Sequence, residues 1–481
     1  MKCVKMGYCK RITIAHLFLK ETIMYTDTIA AIATALSDSG IGIIRISGSD
    51  AIAIADKIYR TKSGLQKLTE FESHTIHYGY IIDSVSGDIL DEVMVSVFKA
   101  PRSYTAEDTI EINCHGGVLL CKRILEEVCR AGARLAEPGE FSKRAFLNGR
   151  MDLTEAEAVM DLIHSKNEYA LSSSVKQLRG SVSGLIREMR AEILHEIAFI
   201  ESALDDPEHI SLNGYSASLE ERVDDLLKRL KKLLKSTAKG RMIQEGINTV
   251  IVGKPNAGKS SLLNLLVGEE RAIVTNVAGT TRDVLEESIS LRGIHLNIID
   301  TAGIHSTEDV VEKIGVEKAK QYAENADLIL YVVDASVPLD ESDQEIMELI
   351  KDKKTIILLN KSDLDPVVKD EDFSSSAILI RTSAKENIGM EEFEEKIEEL
   401  FLGGKISFND QVMITNLRHK RALEDTVESL HLVKKSLEDG MPEDFYSIDL
   451  MSAYTSLGTI IGEEVGEDLV NEIFSKFCMG K

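Results

Sequence analysis

The chain has 481 residues and carries 56 Lys and Arg against 80 Asp and Glu, a formal charge of −24 at pH 7. At roughly 100–200 residues per domain this length predicts about two to four domains, and 43% hydrophobic with 28% charged residues excludes a disordered, collagen-like or disulfide-stapled chain. Trp is absent and aromatics are 5%, which favours helices packed by aliphatic residues, while the acidic charge repels phosphate backbones unless a local basic patch or a second protein supplies contacts.

Residues 1–23, through KRITIAHLFLKETI, are basic, with a short apolar stretch broken by His16 and no small-residue cleavage site, so they read as an extension ahead of a start at Met24. From Thr28, short β-rich runs alternate with Gly turns: IAAIAT, GIGIIRISG, HTIHYGYII, ILDEVMVSVF and TIEINCHGG. The last leads into an apolar-periodic stretch from Val118 to Val128. This predicts an α+β domain over 24–146. After PGEFSKRAFLNGRMDL, apolar residues step by three and four at Leu171, Val175, Leu178, Val182, Leu185, Met189, Ile193, Ile197, Ile200 and Leu204, the mark of one long amphipathic helix or a pair. A polar loop, DDPEHISLNGYS, precedes a further helical run, LEERVDDLLKRLKKLLKSTAKG, and 147–245 reads as helical. Alternating β/α pattern occupies 246–404, and 405–481 is helical again, with Leu457, Ile460, Ile461, Val465, Leu469, Ile473, Phe474 and Phe477 on a recurring face. The fold class is therefore multidomain α/β and α: an α/β unit inserted into a helical bundle built from both sides of it. Cys3, Cys9, Cys114, Cys121, Cys129 and Cys478 show no CxxC spacing and read as reduced thiols. His115 beside Cys114 lacks a second ligand pair, which favours core packing over a metal. No apolar run approaches the ~20 residues that span a bilayer, so no membrane partner is expected.

The sharpest motif is GKPNAGKS at Gly253–Ser260, between the strand-like INTVIV and the helix-like SLLNLLVG. In such a loop the main chain of Asn256, Ala257, Gly258, Lys259, Ser260 and Ser261 wraps phosphates at a helix N-terminus. Lys259 reaches the β and γ phosphates and the Ser260 hydroxyl can ligate Mg²⁺. IIDTAG ends a strand with Asp300, followed by Thr301, Ala302 and Gly303, where Asp300 supports the Mg²⁺ shell and the Gly303 N–H meets the γ-phosphate. LLNKSD ends another strand with Asn360, Lys361 and Asp363, and Ser383, Ala384 and Lys385 would close over the base. The Asp363 carboxylate can accept from both the ring N–H and the exocyclic amine of guanine, a pair adenine lacks. The nucleotide is therefore GTP. TNVAGTTRD at Thr275–Asp283 is a switch loop by position, with Thr281 or Thr280 available to Mg²⁺. Ile304 stands where Ras-like enzymes place a water-orienting Gln, so an extra cation near the phosphates would serve, and Asn256 is an available oxygen ligand for it.

With DTIAAIAT, IGIIRISG, YTAEDTIEINCHGG, ARLAEPGEFSKRAFLNGRMDLTEAEAVMDLI, RAIVTNVAGTTRD and the terminal IFSKFCMGK, the chain from about Tyr25 onward resembles the MnmE (TrmE) family of tRNA-modifying GTPases, within the TrmE-Era-EngA-like group. The resemblance implies an N-terminal α+β domain that binds a tetrahydrofolate and dimerises, a discontinuous helical domain, and an inserted Ras-like G domain. It further implies a cytoplasmic GTP hydrolase acting with the flavin-dependent partner MnmG, as a homodimer within a heterotetramer. Together they would place an aminomethyl or carboxymethylaminomethyl group on carbon 5 of the wobble uridine of certain tRNAs, with the carbon drawn from 5,10-methylene-tetrahydrofolate. By the same resemblance K⁺ stimulates hydrolysis, held by Asn256 and main-chain oxygens of Thr275, Val277 and Thr280, with Ser260 and Thr281 on Mg²⁺. The catalytic water-orienting acid falls on Glu312, alongside Lys259. Folate contacts fall on Arg45, Glu111, Arg150 and Lys481, and Cys478 in the CMGK tail invites either a catalytic or a structural role. His305 replaces a common Arg after DTAG, LDDPEHI departs from the family's usual acidic IDFPEE, and residues 1–23 have no counterpart.

A different class of function, a GTP-dependent ribosome-assembly switch, fits the phosphate loop equally well. It has no use for Arg45, Glu111, Arg150 and the CMGK tail, and these favour the modifying enzyme.

Overall fold

The computed structural model describes residues 27–62, 64, 66–268, 286–300, 326–374, 377–402 and 412–481. The chain divides into two compact units, Met1–Met160 with Gly458–Lys481, and Asp161–Leu457.

In the first unit, β1 (Ile29–Ile32), β2 (Ser39–Ser47), α1 (Ala51–Ile58), β3 (Tyr59–Thr61), β4 (Thr75–Ile82), β5 (Ile89–Phe98), β6 (Thr109–Gly116), α2 (Val118–Ala131) and β7 (Arg134–Leu135) follow in order. The strands form one sheet in the order β3-β4-β5-β6-β2-β1-β7. Alternation decides which face is buried: Ile44 and Ile46 on β2, Val93, Val95 and Val97 on β5, and Ile110 and Ile112 on β6 join α1 and α2 in one core. The intervening residues Arg45 and Glu111 are register partners on the other face. The sequence pattern gave no sign of α1, because AIAIADKI alternates with a strand-like period of two while its Ala and Ile bury on a helix.

A second core in this unit gathers α3 (Glu140–Leu147), the start of α4 (Leu153–Ile163) and α13 (Glu467–Ser475). Ala145, Met151, Leu153 and Ala156 meet Val470, Phe474 and Phe477 there. Arg144 is fully buried, held by Asp27 at 2.8 Å, Glu140 at 2.9 Å and Glu107 at 3.3 Å. From Gly458 onward the chain packs with the N-terminal sheet's unit.

In the second unit the run from Leu171 to Leu204 is a pair, α5 (Glu168–Leu178) and α6 (Ser181–Asp205). Along α6 the predicted stripe is buried at Val182, Met189, Ile193, Ile197 and Ile200. On α5 the buried positions are Ala170, Ser174 and Gln177 and Leu171 is exposed, because the break at Arg179–Gly180 shifts the helical phase. α7 (Tyr215–Glu245) then lies antiparallel to α11 (Leu417–Glu438): the Ser236 hydroxyl accepts from the Ile414 N–H at 3.3 Å, and further along Lys434 Nζ donates to Asp224 at 2.9 Å. α12 (Glu443–Ile461) follows α11.

Between these helices, β8 (Ile247–Val252), α8 (Lys259–Val267), β9 (Glu286–Leu291), β10 (Ile294–Asp300), β11 (Leu328–Asp334), α9 (Glu341–Ile350), β12 (Thr355–Asn360), β13 (Ile378–Arg381) and α10 (Met390–Leu402) build a sheet in the order β13-β12-β11-β8-β10-β9. All neighbours are parallel except β9 with β10. LILYVVD and TIILLN read as continuous apolar runs because parallel strands are buried on both faces. Leu330, Val332, Ile356 and Leu358 face one core, and Ile329, Tyr331, Ile357 and Leu359 face the other. This is the Ras-like α/β arrangement, and it sets the C-terminal ends of β8, β10 and β12 along one edge, where open α/β sheets bind ligands.

Candidate nucleotide site and a cationic pocket at the chain terminus

The loop from Gly253 to Gly258 joins β8 to α8. Gly258 sits at φ 101°, and a Cβ there would overlap Asn360 Nδ2, so only glycine lets the loop close against the guanine-side strand. The Lys259 ammonium donates to the carbonyls of Gly253 at 2.7 Å and Lys254 at 2.8 Å, which keeps it within the loop's curve. Ser260 and Ser261 are exposed on the first turn of α8, where unpaired N–H groups and the helix dipole favour anions. Ala257 is buried, while Asn256 is exposed at φ 60° and presents its carboxamide to solvent.

Asn360 is buried and clips two loops together. Its Nδ2 donates to Ala257 O at 2.9 Å, and its Oδ1 accepts from Ala384 N at 3.2 Å. Asp363 Oδ1 accepts from the Ser383 hydroxyl at 2.7 Å, and that bond above all holds the carboxyl below its usual range, so it is an anion when a base arrives. Lys361, at φ 63°, pairs with Asp334 at 2.5 Å, while Lys385 is exposed. Asp300 ends β10 with its backbone in register with Ile251. The structure thus brings the phosphate loop, the NKSD segment and the Ser383–Lys385 loop to one edge of the sheet. Thr275, Val277, Thr280, Thr281, Thr301, Ala302, Gly303, Ile304, His305 and Glu312 lie outside the described residues, as do residues 1–23.

A second cluster forms in the other unit. Arg45 donates through Nε to Glu111 at 2.9 Å and through Nη1 to the Gly480 carbonyl at 3.1 Å. Gly480 has φ 81°, and a Cβ there would come within 2.6 Å of Ile32 O, so the CMGK tail needs glycine at this point. The Tyr104 ring collects three cations, with Arg45 Cζ at 5.2 Å, Arg150 Cζ at 5.7 Å and Lys481 Nζ at 5.9 Å from its centroid. Burial, reinforced by the Arg45 charge, pushes the Lys481 ammonium below its ordinary value. Three of the four residues expected at a folate site, Arg45, Arg150 and Lys481, therefore meet around one aromatic ring, and the fourth, Glu111, pairs with Arg45. Cys478 is exposed and free. Cys114 is buried with its sulfur 3.8 Å from that of Cys121, and His115 is exposed on Asp91 at 2.7 Å; among the described residues no group of three His, Cys, Asp or Glu is placed to hold a metal.

A family described as "GTP-binding protein TrmE N-terminus" matches residues 28–150, and one described as "MnmE helical domain" matches residues 153–478. A protein named tRNA modification GTPase MnmE from Lachnoclostridium phytofermentans is 58% identical over 460 residues, 95% of this chain and 100% of its own. The chain belongs to the MnmE family of tRNA modification GTPases. Relatives with the same name from Acetivibrio thermocellus, 47% identical over 95% of this chain and 99% of their own, and from Bacillus subtilis, 45% identical over 95% and 100%, agree.

As a member of this family the chain is a GTP hydrolase, and the edge of the sheet at the ends of β8, β10 and β12 is the candidate GTP site. Sequence reasoning missed several residues that shape it. Asp334, at the end of β11, holds Lys361; burial pushes its carboxyl up, but Lys361 and Ser336 bring it below its usual range. Lys254 pairs with Asp340 at 2.9 Å and Asp343 at 2.6 Å, and both carboxylates belong to the capping box of α9. An Asp ending an apolar strand was the available signal for Asp334. Tyr104 and Phe141, whose ring is 5.6 Å from Arg45 Cζ, carried no pattern at all, since an aromatic is recognised as a platform only once its cations are seen. Among the described residues, no helix is long and apolar enough to cross a membrane.

Proposed function

We propose that this chain is a K⁺-stimulated GTPase that works with a flavin-dependent partner of the MnmG type in the cytoplasm. Together they add an aminomethyl or carboxymethylaminomethyl group to carbon 5 of the wobble uridine of certain tRNAs. The observation that carries this reading is the meeting of Arg45, Arg150 and Lys481 around Tyr104, with Glu111 paired to Arg45, in a chain that also has a candidate GTP site. A folate-type carrier of a one-carbon unit suits that chemistry. Glu111 offers carboxylate acceptors to pterin N–H groups, the Tyr104 ring offers a flat face, and Arg150 and Lys481 offer cations to a glutamate tail. In this reading 24–146 binds the folate and dimerises, 147–245 and 405–481 form the helical domain, and 246–404 is the G domain.

At the nucleotide, the exposed Ser260 hydroxyl at the start of α8 fits a hard cation, and with Thr281 it would hold Mg²⁺. The exposed Asn256 carboxamide, with main-chain oxygens of Thr275, Val277 and Thr280, supplies the neutral oxygen set that suits K⁺. Bound there, the ions would neutralise charge on the phosphates. Lys259 orients the phosphates, and Glu312 orients the attacking water. Asp363 reads guanine.

Mass spectrometry of tRNA nucleosides from cells lacking the protein tests the reading. Loss of the C5-modified wobble uridine, restored by the gene, is expected; unchanged modification overturns it and leaves the assembly switch. GTP turnover should be faster in K⁺ than in Na⁺, and Glu312→Ala should slow hydrolysis while nucleotide binding persists.

A further inference from the structure

A groove of about 810 Å³ lies between α7 and α11, away from both sites. Its walls carry Lys228, Lys231, Lys232 and Lys235 from α7 and Lys434 and Lys435 from α11, with His431, against the carboxylates of Asp224 and Glu438. We propose that this groove docks the sugar-phosphate backbone of an RNA, and that under the function proposed above the RNA is the tRNA substrate.

The placement of charge argues for this. On a chain of net charge −24, six lysines against two carboxylates form a local field of opposite sign. Positions 228, 231, 232 and 235 are spaced by three, one and three, which puts them on one side of α7. Their Cα atoms span ~10 Å along the axis at about 1.5 Å per residue. The buried stripe of α7, Leu226, Leu227, Leu230 and Leu233, lies next to them, so the lysine stems are held on rigid backbone while their ammonium groups reach solvent. Lys434 is committed to Asp224 at 2.9 Å and, at 3.7 Å, to Glu220. Among the described residues, Lys228, Lys231, Lys232, Lys235 and Lys435 have no ion-pair partner, and all are exposed. A solvated helix face normally intersperses signs, as α7 does elsewhere, where Arg229 lies 3.7 Å from Asp225 one turn earlier and also meets Glu188 and Glu192 of α6.

The identity of the cations favours a phosphate backbone over an acidic protein. Lysine is a compact point charge on a flexible stem, which suits a row of phosphates, whereas paired carboxylates on a protein surface are met by the fork of arginine. No arginine lines the groove. Duplex nucleic acid carries about one negative charge per 1.7 Å of axis and releases counterions on neutralisation, so a row of unpaired lysines gains affinity in proportion to its length. The contact is sequence-blind, because phosphates position a nucleic acid and bases specify it.

The test uses the full-length chain and an in vitro transcribed tRNA, with dissociation constants measured by fluorescence anisotropy over a series of KCl concentrations. The variant is Lys228→Gln/Lys231→Gln/Lys232→Gln/Lys235→Gln. The expected result is at least a tenfold loss of tRNA affinity near 0.1 M salt and a log–log salt slope shallower by about 3.6, at roughly 0.9 per phosphate contact removed. GTP turnover and thermal unfolding should stay unchanged, since none of these residues touches the nucleotide site. Equal affinity and slope for variant and parent overturn the proposal, as does no measurable tRNA binding by the parent at low salt, or competition by poly-glutamate as effective as by unlabelled tRNA. Cells lacking the gene separate the two readings. If the parent restores wobble modification and the variant restores it equally, the groove assignment falls and the function stands; if the parent restores nothing, the function falls, and the salt slope still judges the groove.

Discussion

Asn360→Ala should damage nucleotide binding without removing any atom expected to touch phosphate. In the structure Asn360 is buried and spans the phosphate loop and the base-side loop, donating to Ala257 O at 2.9 Å and accepting from Ala384 N at 3.2 Å. Each such bond contributes about 0.5–1.5 kcal/mol net, and leaving a buried carbonyl without its donor costs about 1–3 kcal/mol. Ala257 is 2% exposed, so water cannot readily replace the lost donor. The lost Ala384 bond and the stranded Ala257 carbonyl together cost about 1.5–4.5 kcal/mol, shared between the stability of the free fold and the reordering of both loops when nucleotide binds. If half is charged to binding, affinity falls by roughly 3- to 40-fold, at about 1.4 kcal/mol per factor of ten. A titration of a fluorescent GDP analogue reads the affinity, and heat unfolding of the same samples reads the remainder. GDP affinity within twofold of the parent, together with an unshifted unfolding midpoint, would refute the view that Asn360 holds the two loops in register.

Asp363→Asn replaces a carboxylate acceptor with an amide donor, so GTP affinity should fall by ~100-fold or more, at about 1.5–3 kcal/mol for each charged hydrogen bond lost. Xanthosine triphosphate, which presents a carbonyl where guanine has its amine, should gain, and competition binding that still prefers GTP contradicts the base-reading role. Arg144→Met strands Glu140 and Asp27 beside a buried apolar side chain and should cost the first unit about 3–5 kcal/mol, read by chemical denaturation. Glu140 adds a pH signature. Burial pushes its carboxyl up, but Arg134, the Glu137 N–H and Arg144 hold it below the ordinary 4.5. Its stabilisation is therefore present above that value and lost as pH falls through the depressed one, and the acid-unfolding midpoint should move to higher pH in the variant. His295 behaves differently: burial, aided by Lys166, pushes it from 6.5 down to about 4. Its neutral form stabilises the second unit fully above pH 6.5, and that contribution drains away toward pH 4. His295→Leu should flatten the dependence of unfolding temperature on pH across this window, and an unaltered profile would assign the dependence elsewhere.

The candidate GTP site was legible because its chemistry is local. The turn at Gly253–Ser260 needs glycine where a Cβ would strike Asn360, lysine where phosphates gather, and a helix start behind it. Such demands are written in consecutive residues. The long helices were legible for a similar reason, with α6 burying Met189, Ile193 and Ile197 at the steps its periodicity set. Two things were not. α1 hides in an Ala/Ile alternation that suits a strand equally well, and only packing against α2 decides it. The apolar face past Leu457 gives a helical period but not a destination, since Phe474 and Phe477 fit any apolar surface and find theirs against Ala145, Met151 and Leu153.

By itself the sequence determined which chemistry the chain carries: a guanine-reading GTP site and an aliphatic helical framework on a strongly acidic protein. Motif residues are fixed by short-range geometry, and short range survives in one dimension. Tertiary structure decided which distant residues share a surface. It drew Arg45, Arg150 and Lys481 around Tyr104, although Arg45 and Gly480 are 435 positions apart. It also gathered lysines from α7 and α11 into one groove while the total charge remained −24. Net charge is a sum over the whole chain, whereas a phosphate responds to the field within about a Debye length, ~10 Å at ordinary salt. Only the fold sets which charges lie inside that radius.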